Sequence, residues 1–319
     1  MENLLGTILW PLRWVIEVIL VGFHHLFQAV GMDPNGGPTW VLSIVALVVV
    51  VRACLIPIFV RQIKNQRKMM EIAPQMKKIQ DRYKGKKDQL SREAMSRETM
   101  ALYKQNGTNP LASCLPLVIQ MPVFFSLYTT LHNAQQDIAG VGFLNQSLAK
   151  SFASASFFGA PLKSTLRGAW GDPTQLHTVV IATTMIVLMT VSQFYTQLQI
   201  VSKNVSEETK ASPMYRQQKM LMYIIPFGFV FSGLAFPLGV TFYWFTSNVW
   251  TMVQQYIIIR RMPTPGSEAA KMREERLARR GRVATVLPAV DGGPSPADIP
   301  VVKSNQRSQP VSKKRTKKR

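Results

Sequence analysis

The apolar residues of this chain are gathered into blocks instead of being spread along it at the spacing of a soluble core. Residues 40–60, 111–132, 176–198 and 219–259 are the longest of these blocks. A helix of about 20 residues crosses the hydrocarbon core of a bilayer. The first three blocks therefore predict one span each, and the last predicts two, joined by a tight turn at Pro237 to Gly239. The pattern predicts an all-α polytopic membrane protein with five transmembrane helices.

A further apolar stretch, residues 4–30, reads differently. At about 100° per residue, Arg13, Glu17, His24 and Gln28 share a sector about 60° wide, and Ile16, Ile19, Phe23, Leu26 and Val30 take the other side. Arg13 and Glu17 also form an i, i+4 pair, and Trp10 and Trp14 suit the headgroup level. An amphipathic helix lying on the membrane fits this pattern. The alternative is a span with Arg13 and Glu17 turned inward. The run from Asp33 to Pro38 then breaks the helix.

Polar sequence separates the blocks. Residues 61–109 hold thirteen Lys and Arg against five Asp and Glu, with two helical runs around Gly85. Apolar positions at helical spacing, Met69, Ile72, Met76 and Ile79, then Leu90, Met95 and Leu102, predict a helical hairpin outside the membrane. So basic a loop belongs on the cytoplasmic side, which puts the N-terminus outside and, after five spans, the C-terminus in the cytoplasm. Residues 260–319 agree, with sixteen basic groups against five acidic. Residues 134–175, rich in Gly, Ala, Ser and Phe, receive no structural assignment from the pattern alone.

One charge stands within the apolar blocks. Arg52 lies inside the 40–60 run, where a guanidinium costs about 2.5 to 3.5 kcal/mol on insertion scales. Val60 is eight residues on, roughly 12 Å of helix, so the side chain cannot easily reach the interface. Two roles stay open: lining a hydrated cavity within the membrane, or pairing structurally with another group. Gln120 is a second polar group at membrane depth, in a helix interrupted by Pro116 and Pro122. Ser192 and Gln193 sit toward the end of the third span, and the last span carries an aromatic cluster at 242–245 followed by Ser247 and Asn248.

Charge and cysteine content narrow the function. A formal charge of +21 on 319 residues calls for an anionic partner, either lipid or nucleic acid. The tail ends in Lys313, Lys314, Arg315, Lys317, Lys318 and Arg319, in a context too rich in Pro, Ser and Lys to fold; it suits ribosomal RNA or anionic lipid. Cys54 and Cys114 both lie in apolar blocks without ligand spacing, which argues against a disulfide framework or metal site. No nucleotide motif or catalytic constellation is present, so neither an enzyme nor a cofactor is expected.

Two long motifs, NPLASCLPLVIQMPVFFSLY from Asn109 to Tyr128 and PLGVTFYWFTSNVWTMVQQ from Pro237 to Gln255, resemble the YidC/Oxa1/Alb3 family of membrane protein insertases. The order of elements, an Arg-bearing span followed by a basic hairpin and four further spans, resembles it too. The similarity covers roughly residues 10–262 and implies five spans around a hydrophilic groove, open to the cytoplasm and to lipid. By the resemblance Arg52 is the groove arginine, and Gln120 and Trp244 occupy groove positions. Val48 stands where some members carry a threonine, and the large periplasmic domain of some bacterial members is absent, which implies the short form.

The expected function is insertion and folding of nascent membrane proteins in the bacterial cell membrane. Ser192, Gln193, Ser247 and Asn248 would help solvate the client, and the ribosome, anionic lipid and a Sec translocon are the implied partners. For Asn248 an interhelical hydrogen bond is an equally good role. The domains expected are an interfacial helix at 1–38, an insertase core at 39–262 with its hairpin at 61–109, and a disordered tail at 263–319. The rival is an anion-binding transporter or channel. Against it, the two halves show no inverted-repeat similarity.

Overall fold

The computed structural model describes residues 2–86, 88–109, 115–205, 210 and 213–279. It is predominantly helical. Three of its described helices are long and apolar enough to cross a membrane, over Gly6–Ala29, Gly37–Asn65 and Pro173–Lys203.

The first helix, α1 (Glu2–Ala29), packs against α2 (Gly37–Glu71) and α5 (Leu115–Gln135). Two of the four residues of its polar sector, Glu17 and His24, are buried against protein, while Gln28 is exposed and Arg13 half-buried. Glu17 is 0% exposed and His24 is buried beside it, while Trp10, Val15, Leu26 and Val30 are exposed. The physical reason lies in residues 137–145. The Glu17 carboxylate accepts the backbone N–H groups of Val141 at 2.8 Å, Gly142 at 2.7 Å and Leu144 at 3.4 Å. Those amides make a concave donor site that satisfies the buried carboxylate. Gly140 and Gly142 are needed there, because a Cβ at Gly140 would run into the Glu17 carboxylate and one at Gly142 would run into the Trp14 ring. His24 Nε2 bonds the Pro34 carbonyl at 2.9 Å, and its ring lies against Trp40.

Pro38 in the first turn suits the start of α2, where its missing N–H costs nothing. The helix continues well past the apolar block to Glu71, and α3 (Ala73–Arg82) and α4 (Gln89–Gln105) form the hairpin. Met69, Ile72, Met76, Ile79 and Leu102 bury together as the spacing predicts, with Met95 packed against them. Tyr103 completes this small core in place of Leu90, which is exposed. Arg82 Nη1 and the Tyr83 hydroxyl both donate to Glu98, at 2.7 and 2.8 Å, and clamp the two helices together.

Residues 136–175, unassigned from sequence, are built from α6 (Gln146–Ser154), a two-stranded hairpin of β1 (Ser156–Phe157) and β2 (Ala160–Pro161), and α7 (Leu166–Ala169). A short 3-10 turn, Pro173–Gln175, leads into α8 (Leu176–Leu198), which ends in a π-helical turn, Gln199–Lys203. Phe152, Ala155, Ala160 and Leu162 join the main core with Ile16, Trp40, Ile44 and Leu131. Trp40 Nε1 donates to Ser151 Oγ at 3.1 Å. Gly37 runs so close to the Ser156 carbonyl that no side chain fits there.

Helices α9 (Pro213–Ala235) and α10 (Leu238–Arg261) complete the packed body, with α8 against both. The turn between them is tied back to the 136–175 segment: Leu238 N–H donates to Ser164 O and Gly239 N–H to Leu162 O, each at 3.0 Å. A final helix, α11 (Glu268–Ala278), corrects the expectation that order ends at residue 262. Ser267 caps it, accepting the Ala270 N–H, and the sequence EAAKMREERLA is made of strong helix formers.

Candidate functional site

Arg52 sits half-buried on α2, with its guanidinium carbon 5.8 Å from the centroid of Phe59, two turns further along the same helix. That distance is within reach of a cation–π attraction. The guanidinium borders a narrow recess closed by Ile16 of α1, Leu47, Val48 and Val51 of α2, Gln120, Val123 and Leu127 of α5, and Tyr243 of α10. Its free volume of about 10 Å³ has room for roughly one water. The ion pairs among the described residues are Arg82 with Glu98 and Glu93 with Arg97, both in the hairpin. No described carboxylate lies within 4.0 Å of Arg52.

The structure places Arg52, Gln120 and Tyr243 around the same recess. Gln120 Nε2 donates to the Tyr243 hydroxyl at 2.7 Å, which couples α5 to α10 beside the guanidinium. Because Tyr243 accepts there, its own proton is left to donate. Tyr243 is buried, and the sequence showed it only as one ring of an aromatic cluster.

The other expected residues take different places. Trp244 stacks on Phe124 of α5, centroids 5.4 Å apart and planes within 10°, and meets Phe236 edge-on at 5.0 Å. It belongs to an aromatic cluster next to the recess, and not to the recess wall. Ser192 donates to the Met189 carbonyl of its own helix at 2.9 Å, and neither it nor Gln193 lines the recess. Ser247 and Asn248 are buried on α10; the Ser247 hydroxyl faces the Tyr243 hydroxyl, and Asn248 Nδ2 has no partner among the described residues. On α5, Ser126 Oγ and Thr130 Oγ1 are likewise buried and unpaired. A buried polar atom without a partner costs about 1 to 3 kcal/mol unless water or a ligand meets it, and Ser126, Thr130 and Asn248 are three such groups on the two helices, α5 and α10, that border the recess. Ser126 and Thr130 carried no sequence signal, since single hydroxyls in apolar helices mostly bond their own backbone. Lys313, Lys314, Arg315, Lys317, Lys318 and Arg319 lie outside the described residues.

This geometry has no nucleophile with an adjacent base, and the described residues contain no cluster of three or more His, Cys, Asp or Glu that could hold a metal. What it offers is a fixed positive charge and unsatisfied hydrogen-bonding groups among apolar helices. Such a site can attract an anionic or polar chain segment at membrane depth.

Comparison with known proteins gives a consistent picture. A family model described as the 60Kd inner membrane protein matches residues 32–265. The membrane protein insertase YidC of Tropheryma whipplei (strain Twist) is 42% identical over 323 residues, covering 99% of this chain and 98% of that protein. The protein of the same name from Streptomyces avermitilis is 46% identical over 280 residues, 86% of this chain and 63% of its own length. The one from Bifidobacterium longum is 35% identical over 330 residues, 98% and 96% of the two chains.

Proposed function

This chain belongs to the YidC family of membrane protein insertases, and we propose that it inserts clients by drawing their polar flanks to Arg52 through a groove formed by α2, α5, α8, α9 and α10. These five helices are the spans, and the groove opens to the cytoplasm and the adjoining lipid. A hydrophobic client segment must move its polar flank past an apolar barrier, and a groove with polar walls shortens the dry distance. Arg52 attracts acidic residues of that flank. Gln120 and Tyr243, with the polar groups of Ser126, Thr130, Ser247 and Asn248, bond its backbone. Trp244 and its aromatic neighbours give the apolar part of the client a surface to slide along.

The observation that carries this reading is the guanidinium at membrane depth with no described carboxylate beside it. The hairpin and the basic tail lie on the cytoplasmic side, and the tail, through Lys313 to Arg319, meets ribosomal RNA while the client is still being synthesised.

The test separates charge from scaffold. Insertion of two clients, one with an acidic and one with a neutral translocated flank, is measured and normalised to folded protein. Arg52→Lys should retain most of the activity, because a point charge remains. Arg52→Ala should lose the acidic client at least tenfold and leave abundance unchanged. Equal loss for both clients, with reduced abundance, would make Arg52 part of the scaffold and refute the proposal.

A further inference from the structure

Where α8 and α10 end, a cleft of about 450 Å³ opens between them and α11. Part of its lining is apolar, with Tyr195, Met252, Ile259 and Met272. Part is basic: Lys203 from the π-helical turn, Arg260 from the last turn of α10, Arg276 from α11 and Arg279 at its C-terminal end. Glu275 also lines it, so four cations face one carboxylate, and no described carboxylate lies within 4.0 Å of any of the four.

Two of these guanidinium groups are held in place by neutral partners. Arg260 Nη1 donates to the Tyr256 hydroxyl at 2.9 Å. Arg276 donates from Nε to the Met272 carbonyl at 3.1 Å and from Nη2 to the Arg260 carbonyl at 3.3 Å. These contacts fix position without cancelling charge. The other two, Lys203 and Arg279, have no side-chain hydrogen bond among those described.

We propose that this cleft binds the headgroup of an anionic phospholipid, with the phosphate held by Lys203, Arg260, Arg276 and Arg279 and the acyl chains laid along the ends of α8 and α10. The apolar half of the site decides between lipid and nucleic acid. Leu198, at the end of α8, a helix long enough to span the membrane, is exposed, as are Val253 and Ile257 in the last turns of α10. A nucleic-acid phosphate has no use for such a wall, whereas an amphiphile needs both halves at that depth. Basic pockets between membrane helices near the headgroup level are suited to acidic lipid headgroups.

The experiment uses the full chain in detergent, with lipid binding followed by native mass spectrometry at about 0.5 M ionic strength, where exposed tail charges are screened. Phosphatidylglycerol is compared with phosphatidylcholine of the same acyl chains. Wild-type protein should retain phosphatidylglycerol selectively. Each charge near the surface contributes about fivefold in affinity, so Lys203→Gln with Arg279→Gln should weaken phosphatidylglycerol binding about 30-fold and leave phosphatidylcholine unaffected. Neither substitution removes a bond of the fold, and the thermal transition checks this directly. Arg279→Lys should restore most of the affinity lost at that position. Undiminished phosphatidylglycerol binding in the double variant would overturn the proposal. So would displacement of the lipid by an equal concentration of glycerol phosphate, which indicates a soluble-phosphate site, or a loss confined to ribosome co-sedimentation, which indicates nucleic acid.

Discussion

Replacing Glu17 should unfasten residues 137–145 from α1 without unfolding the helical body. The carboxylate, itself without solvent exposure, receives two short backbone hydrogen bonds and one longer one. In Glu17→Ala the part-buried Val141 and Gly142 amides lose their acceptor; a buried donor left unpaired costs about 1 to 3 kcal/mol, and partial access of water puts these two toward the lower end. Taking the lower half of that range for both gives about 3 kcal/mol, roughly a hundredfold in the local opening equilibrium. Glu17→Gln keeps one acceptor oxygen and presents an amide donor to a donor-lined site, so it should fall between, near tenfold. Hydrogen exchange of the Val141 and Gly142 amides in detergent-solubilised protein reads this directly, because local opening controls their protection. Exchange in the α3–α4 hairpin serves as the internal control and should not change. Unaltered protection at Val141 and Gly142 in Glu17→Ala would show that the loop is held by its own packing, and that the carboxylate is merely accommodated.

Two further outcomes are expected. In a background without Cys54 and Cys114, single cysteines placed in residues 140–170 should react with an impermeant external reagent and those in 80–90 should not; the reverse pattern would invert the proposed orientation. In the hairpin, the hydrogen bond to Glu98, with burial and the Glu98 charge adding to it, raises the Tyr83 pKa above 10.0. A raised pKa means that the neutral phenol is favoured in the folded state, so its contribution is complete below pH 10.0 and is lost as pH rises through the folded value. The difference absorbance titration between wild type and Tyr83→Phe should therefore show a phenol ionising above pH 10.0, and a midpoint at or below it would refute the assignment.

The sequence made Arg52 legible because a guanidinium in an apolar run contrasts with everything near it. Gln120 and the hairpin core were readable for the same kind of reason, a polar group in an apolar block and an apolar period in a polar one. Glu17 was visible but misplaced. Its acceptor role depends on backbone N–H groups 124 to 127 residues away, and backbone donors leave no mark on composition beyond the glycines that admit them. The periodicity correctly put Arg13, Glu17 and His24 on one face, and could not say whether that face met water or protein. Tyr243 was hidden by its neighbours, since four consecutive aromatic residues look alike until the helix assigns each a direction. Ser267 and the helix after it were masked by the basic, Pro-rich tail that follows.

The two backbone bonds from Leu238 and Gly239 to Ser164 and Leu162 set a clock on the protein's own synthesis. The acceptor carbonyls leave the ribosome 74 and 77 residues before their donors (238 − 164 and 239 − 162). At about 5 to 20 residues per second, that interval lasts roughly 4 to 15 s. Throughout it, the 136–175 segment carries two unlatched carbonyls and a core face that α10 has yet to cover. The molecule that helps other chains into the bilayer thus passes through a waiting stage of its own, and the arrival of α10 ends that stage. Nascent chains arrested shortly before residue 238 should be cut by protease within 155–170, and chains extended past residue 261 should resist.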